Sequence, residues 1–432
     1  MDPLSIGLGG LVVILVLLAI GCPVGLAMIL VGAGGFSLIV GLTPALDVLE
    51  TAAFETASNY SFIIIPLFLL MGSLAARAGL SKDLFDSARY FTKGWNGSLA
   101  LAAVSGGAAF SAICGSSLAT ASTMTRVAYP EMMSQGYHPR LAAGSLAAGG
   151  TLGIMIPPSV ALLLYALITE QSVGDMFLAG FLPGLLAYSL YMITVTIMAR
   201  RWKPDITQQP DENTSLKTAL KQFAPVALLF GLVMGGLYGG IFSPTEAGGV
   251  GAALALVLSL WRGLTWEGFQ EAVVETVSIT ATIFVILIGT EVFGFLLSVS
   301  QISFEMVDKI NSMNLDPWMV MALIVAFYVV MGCFLESLAM ILLTVPIFYP
   351  VIVASGFDPV WFGIIAVVTV ETGLISPPVG MNLFVVQSAA KGSKIQDVMI
   401  GVMPFVLADF VRLAILIAFP AISLFLPQMM GH

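Results

Sequence analysis

Two proline pairs, Pro157-Pro158 and Pro377-Pro378, lie inside long apolar stretches, and their placement carries the most chemistry in this sequence. Each pair removes two amide donors and breaks a helix. The carbonyls four residues earlier then lose their partners: Gly153 and Ile154 in one stretch, Gly373 and Leu374 in the other. At membrane depth such carbonyls need another partner, and Na⁺ at the negative end of a half-helix is one. A second interrupted segment belongs with each pair. One has Gly115-Ser116-Ser117 with Thr120; the other has Glu336-Ser337. Hydroxyls and carbonyls suit Na⁺, while free amides at half-helix starts suit a carboxylate, so these residues predict an anion coupled to Na⁺. Ser116, Thr120, Ser159, Ser337 and Asn382 are the candidate contacts for that anion. The plainer alternatives are a proline kink patched by hydroxyls, small-residue helix packing by the serines, and an interhelical contact by Asn382. Recurrence of the break at two matching places favours the cation sites.

Charged residues within apolar runs are the next candidates. Asp409 and Arg412 stand three apart on one helix. A structural ion pair is the preferred reading, with Arg412 as a carboxylate anchor the alternative. Glu371 and Glu291 are balanced between a cation path and a structural role. His138, beside Pro139 in a loop, has no second histidine to make a metal pair and is read as structural. Cys22, Cys114 and Cys333 sit in apolar stretches and form neither a disulfide framework nor a metal spacing.

The elements that must position these residues are membrane helices. The chain is 58% apolar and only 9% charged, against about 25% charged in soluble domains. Apolar runs fall at about 4 to 20, 23 to 41, 61 to 79, 140 to 169, 176 to 199, 222 to 241, 247 to 261, 275 to 300, 360 to 390 and 398 to 427. Two more, 94 to 125 and 317 to 357, are broken at Gly115-Ser116-Ser117 and Glu336-Ser337, which predicts re-entrant hairpins. The first run lacks a basic leader and reads as a retained span rather than a cleaved signal. No basic patch for nucleic acid is present.

Internal similarity ties the two halves together. A shift of 220 residues brings Gly115-Ser116-Ser117 onto Leu335-Glu336-Ser337, Tyr129-Pro130 onto Tyr349-Pro350, and the segment Gly153 to Pro158 onto Gly373 to Pro378. After one inserted residue, Gly180 and Pro183 meet Gly401 and Pro404. Five full spans per half is an odd number, so the second copy is expected to be inverted, as in secondary transporters. The predicted fold is an all-α polytopic membrane protein of two inverted-topology repeats, each with a re-entrant hairpin and a Pro-Pro-broken helix. Residues 1–200 form the first repeat (hairpin 95–135, broken helix 140–169). A polar linker spans 201–218, and 219–432 form the second repeat (hairpin 317–356, broken helix 360–390). Thirteen of the sixteen basic residues, including Arg77, Lys82, Arg89, Arg140, Arg200, Arg201 and Lys394, then share one side with the linker. That side is cytoplasmic by the positive-inside rule, leaving the N-terminus outside. Lys309 is outside, and Arg126 and Arg412 lie in or near membrane segments.

With Gly240 to Gly249 (Gly-Ile-Phe-Ser-Pro-Thr-Glu-Ala-Gly-Gly), Ile156-Pro-Pro-Ser159 and Ser376-Pro-Pro-Val-Gly-Met-Asn-Leu-Phe384, the chain resembles the large membrane subunit of tripartite ATP-independent periplasmic (TRAP) transporters over essentially its whole length. The resemblance implies a bacterial inner-membrane permease, not an enzyme. Its partners would be a small four-helix membrane subunit and a periplasmic substrate-binding protein. It would take up an organic acid such as a sialic acid or C4-dicarboxylate on a Na⁺ gradient, its hairpins and broken helices sliding as an elevator against a scaffold. Carried onto this chain, the sodium sites fall at the Ser116-Ser117 tip with the Pro157-Pro158 break, and at the Ser337 tip with Thr372 and the Pro377-Pro378 break. The segment Pro244 to Ala247 falls outside both and is assigned to scaffold. Val379 stands where the first repeat has Ser159, and Leu162 where the second has Asn382, so the halves should contact cargo unequally. The competing expectation is a self-sufficient Na⁺/dicarboxylate symporter of the related superfamily.

Overall fold

The structure, a computed structural model, describes residues 2–202, 215–313 and 315–430. Most of the polar linker therefore lies outside the described residues. Twenty α-helices order the described chain: α1 (Pro3–Ala19), α2 (Val24–Val40), α3 (Leu42–Ser58), α4 (Ile64–Arg77), α5 (Leu80–Thr92), α6 (Ser98–Cys114), α7 (Ser117–Ser134), α8 (Pro139–Met155), α9 (Val160–Ile168) and α10 (Val173–Arg201) precede the linker. After it come α11 (Leu216–Tyr238), α12 (Pro244–Trp261), α13 (Trp266–Val299), α14 (Ile302–Ser312), α15 (Pro317–Gly332), α16 (Ser337–Ala354), α17 (Pro359–Ile375), α18 (Met381–Ala389), α19 (Ile395–Ala418) and α20 (Ala421–Met430).

Helix bounds recur at the offset read from the prolines and glycines. Ser117–Ser134 and Ser337–Ala354 differ by 220 at both ends, as do Pro139–Met155 and Pro359–Ile375. The local causes recur too. Pro139 and Pro359 each occupy the first helical turn, where a missing amide costs nothing. His138 and Asp358 cap those helices by accepting from the backbone amides of Arg140 (3.2 Å) and Trp361 (2.9 Å). Both helices stop at their proline pairs, and both Pro-Pro bonds are cis.

These two broken helices form the centre. Every residue from Leu141 to Met155 and from Trp361 to Ile375 is buried. The hairpin α6–α7 packs on α8, and the hairpin α15–α16 packs on α17. The short continuations cross over: α9 docks on α16 and α18 docks on α7. Each half thus completes its break against the hairpin of the other half.

Around this centre, α2 packs on α13 and α4 on α12, leaving apolar side chains such as Val12, Leu38 and Ile197 exposed as a lipid-facing surface demands. Among the described residues, eight helical stretches are long and apolar enough to cross a membrane. Seven match expected runs, and the eighth is α16, an arm of the second hairpin. The expected runs at α1 and α2 are apolar but span 17 residues each, and the run from 360 to 390 is divided into α17 and α18.

Hydropathy alone misses α3, α5 and α14, whose charged residues dilute the signal, and it starts α13 nine residues late. The long α13 also marks a difference between the halves. Its 34 residues correspond to the two pieces α3 and α4, separated at Asn59. Asn59 is extended and its side chain accepts from the Ser61 amide at 2.9 Å, starting a 3₁₀ turn. Ile279 stands at the matching place and offers no such competing bond.

Candidate functional site

At the first tip, Gly115 adopts φ +63°, which ends α6, and Ser116 opens α7 by accepting from the Ala119 amide at 3.5 Å. A methyl on Gly115 would lie 2.8 Å from the Pro158 carbonyl oxygen. One on Gly153 would lie 3.0 Å from the Ser116 carbonyl oxygen and 3.2 Å from Thr120 Oγ1. Glycine is therefore what lets the tip and the break touch. From the other half, Asn382 donates to Ser117 Oγ at 2.6 Å, and both side chains are buried. Tip, first break and the start of α18 thus meet at one place.

The oxygens there are short of donors. Thr120 Oγ1 and Asn382 Oδ1 are buried without a hydrogen-bond partner among the described residues. Of the four carbonyls released by the prolines, Ile154 is reached by the Ser159 hydroxyl and Gly373 by the Ser376 amide (3.0 Å). No such donor bonds to the Gly153 or Leu374 oxygen among the described residues. A buried oxygen without a donor costs roughly 1–3 kcal/mol, and a cluster of them is a chemical fit for a hard cation held by neutral oxygens. The Ser159 bond is the hydroxyl patch that the plainer reading anticipates. Ser159 also caps α9 through the Leu162 amide (3.3 Å), so its hydroxyl is engaged twice within its own loop.

The second tip is built differently. Glu336 caps α16 by accepting from the Leu338 and Ala339 amides at 3.0 and 3.1 Å, and it also accepts from Ser337 Oγ at 2.9 Å. The break is tied to this hairpin through the Gly380 amide, which donates to the Cys333 carbonyl at 3.0 Å. Gly380 has φ +52°, and a methyl there would lie 2.9 Å from both the Leu374 and Ser376 carbonyl oxygens. Gly332 and Gly373 make the matching close approach between α15 and α17, 3.1 Å from a methyl on Gly332 to the Gly373 Cα. Thr372 Oγ1 is buried and donates to the Val368 carbonyl of its own helix at 2.9 Å. Pro157 and Pro158 are buried, whereas Pro378 is exposed.

Arg412 lies apart from both tips' hydrogen bonds, in a buried polar chain. Its Nη2 is 2.9 Å from Glu371 and 3.1 Å from Asp409, with all three side chains fully buried. Tyr191 donates to Asp409 at 2.8 Å and exchanges a 3.1 Å bond with Thr151. The positions are those of the repeat: Thr151 pairs with Tyr191 in the first half, and their counterparts Glu371 and Arg412 pair in the second. This geometry favours the ion-pair reading of Arg412, and it adds Glu371, Tyr191 and Thr151 as partners that only the fold could supply. Glu291 accepts from Thr56 at 3.0 Å, joining α13 to α3. The segment at Pro244 is a capping box: Ser243 accepts from the Glu246 amide (3.3 Å) and Glu246 accepts from the Ser243 amide (2.8 Å). His138 stacks on Trp202 with ring centroids 5.4 Å apart.

Two helical hairpins closing on two proline-broken helices in an apolar bundle define a multi-span membrane transporter, and the YdaH transporter of Alcanivorax borkumensis shares the fold at a TM-score of 0.62 and 14% identity, covering 88% of this chain and 90% of that one. The family model for the DctM component of tripartite ATP-independent periplasmic transporters matches residues 11–422, and the chain belongs to that family. It is similar to the C4-dicarboxylate TRAP transporter large permease protein DctM of Pseudomonas aeruginosa, 34% identical over 92% of this chain and 93% of that protein. It is also similar to the sialic acid TRAP transporter large permease protein SiaM of Vibrio cholerae, 32% identical over 96% of each. The isethionate TRAP transporter permease protein DctMQ of Oleidesulfovibrio alaskensis is 31% identical over 98% of this chain, which covers 66% of that protein.

Proposed function

We propose that this chain is the permease through which an organic acid anion, of the C4-dicarboxylate or sialic acid type, is taken up with Na⁺ across the bacterial inner membrane. The observation that carries the sodium part is the meeting of Ser117, Thr120, Gly153 and Asn382, where Thr120 Oγ1 and Asn382 Oδ1 are buried without a hydrogen-bond partner among the described residues. A second cation falls at the other tip, where the Glu336 carboxylate, Ser337 and the Leu374 carbonyl supply oxygens. Ser116, Thr120, Ser159, Ser337 and Asn382 are the cargo-facing set, with Arg412 reserved to the buried ion network. The two hairpins and two broken helices move together as an elevator, inverted one to the other, against a scaffold that includes α2, α4, α12 and α13. A periplasmic binding protein delivers the anion, and a small four-helix subunit completes the membrane part. The extra length of the DctMQ relative supports that subunit, since it is what a fused partner would add. The N-terminus is periplasmic and the 201–218 linker cytoplasmic.

Reconstitution into proteoliposomes with a Na⁺ gradient tests this reading. Uptake should require Na⁺, the small subunit and the binding protein together. Na⁺-driven uptake by this chain alone would instead establish the stand-alone symporter.

A further inference from the structure

Arg126 is a span-associated cation whose role is open, and the fold places it in a cavity of about 500 Å³ between the first hairpin and helices α4, α5 and α13. Such a volume falls in the range of small-molecule sites, roughly 300–1,000 Å³. One wall is a single face of α7: Ala119, Ser122, Thr123 and Arg126 follow the i, i+3, i+4, i+7 spacing and continue from Ser116 at the tip. Ten residues at 1.5 Å each put Arg126 about 15 Å along the helix from that tip.

Arg126 differs from its neighbour Arg77 in its charge environment. Arg77 lines the same cavity but is held by Glu271 and Glu275, each at 2.9 Å, and Glu275 also accepts from Ser73 at 2.7 Å. Glu275, the one carboxylate lining the cavity among the described residues, is therefore already engaged. Arg126 and Lys82 also line it, and neither has an ion-pair partner within 4.0 Å among the described residues. Arg126 is exposed, has no ion-pair partner among the described residues and shares its wall with the hydroxyls of Ser122 and Thr123, and the exposed Lys82 lines the same cavity, so together they make a site for an anion. An arginine fork matches a carboxylate in particular.

We propose that this cavity is a vestibule on the cargo's path and that Arg126 grips the cargo's carboxylate there, with Lys82 adding a weaker, longer-range attraction. This rests on the anion-transport reading above and extends it to a binding residue outside both tips and both breaks. The test is thermal unfolding of the purified complex of this chain with its small membrane subunit, in Na⁺, titrated separately with succinate, N-acetylneuraminate and isethionate. At least one probe should stabilise the wild type saturably. Arg126→Ala should raise that probe's half-saturating concentration roughly 10- to 100-fold, the loss of a charge-assisted hydrogen bond. Arg126→Lys should recover part of the affinity, because it keeps the charge but not the fork, and Arg126→Gln should not, an ordering by charge that a packing role would not produce. The Na⁺ titration without anion should be unchanged in all three variants. Half-saturation unaltered in Arg126→Ala, or Ala, Gln and Lys variants that behave alike, would overturn the assignment of Arg126. Failure of all three probes to stabilise the wild type would strike the cargo reading itself and the vestibule with it.

Discussion

The two halves share a helical frame but differ in how they hold charge. In the first, the tip is capped by a neutral hydroxyl, the break is buried, and the polar pair between broken helix and following span is Thr151 with Tyr191. In the second, the tip is capped by the Glu336 carboxylate, the break reaches the surface at Pro378, and the corresponding pair is Glu371 with Arg412. A repeat therefore conserves geometry more readily than chemistry. A cation at the first tip would be held by neutral oxygens alone, and one at the second would also meet a formal negative charge.

The largest effect should come from breaking the charged pair. Arg412→Met would leave Glu371 and Asp409 buried without their cation, at a cost of roughly 3–5 kcal/mol. Thr151→Val removes the matching neutral contact and should cost about 1 kcal/mol. Thermal unfolding of the detergent-extracted protein compares them directly. Equal losses would mean that buried charge is not what separates the halves.

The tips come next. Ser117→Ala removes a candidate ligand together with the partner of Asn382, whereas Ser337→Ala removes a hydroxyl whose one bond among the described residues is to its own neighbour. Both should weaken Na⁺-dependent uptake without loss of membrane insertion, with the half-saturating Na⁺ concentration rising further for Ser117→Ala. If both variants keep the wild-type Na⁺ dependence, neither tip binds the coupling ion. The order of the two decides which half carries the tighter site.

How much of this was legible in the sequence follows from the range of each interaction. The breaks were readable because proline acts on carbonyls four residues away, and the hairpin tips because Gly115 with its paired hydroxyls, and Glu336 with Ser337, interrupt an apolar run locally. Asp409 could be paired with Arg412 from helix spacing. Glu371, 41 residues away, could not, and neither could the bond from Asn382 to Ser117 across 265 residues. The crossed docking of α9 on α16 and α18 on α7 was equally hidden, because both faces are apolar and would satisfy any apolar neighbour. Amphipathic α3, α5 and α14 escaped a hydropathy reading for the opposite reason. Their charged faces lower the mean, although Arg262 pairing with Asp83 ties α5 to the end of α12.

The smallest effect tests α3, α4 and α13, where the halves differ by one helix break. Asn59 diverts its side chain to the Ser61 amide and separates α3 from α4, while Ile279 lets α13 run on for 34 residues. A continuous helix of that length spans about 51 Å, well beyond a hydrocarbon core of about 30 Å, so its end must project past the membrane or tilt. Asn59→Ile removes the competing hydrogen bond, which is worth about 1 kcal/mol at a cap, and gives the first half the residue of the second. The expected outcome is a longer distance between spin labels placed in α3 and at the end of α4, with Na⁺-dependent uptake reduced by no more than a few fold. An unchanged distance would assign the break to packing around α3, which lies against α2 and α13, rather than to Asn59.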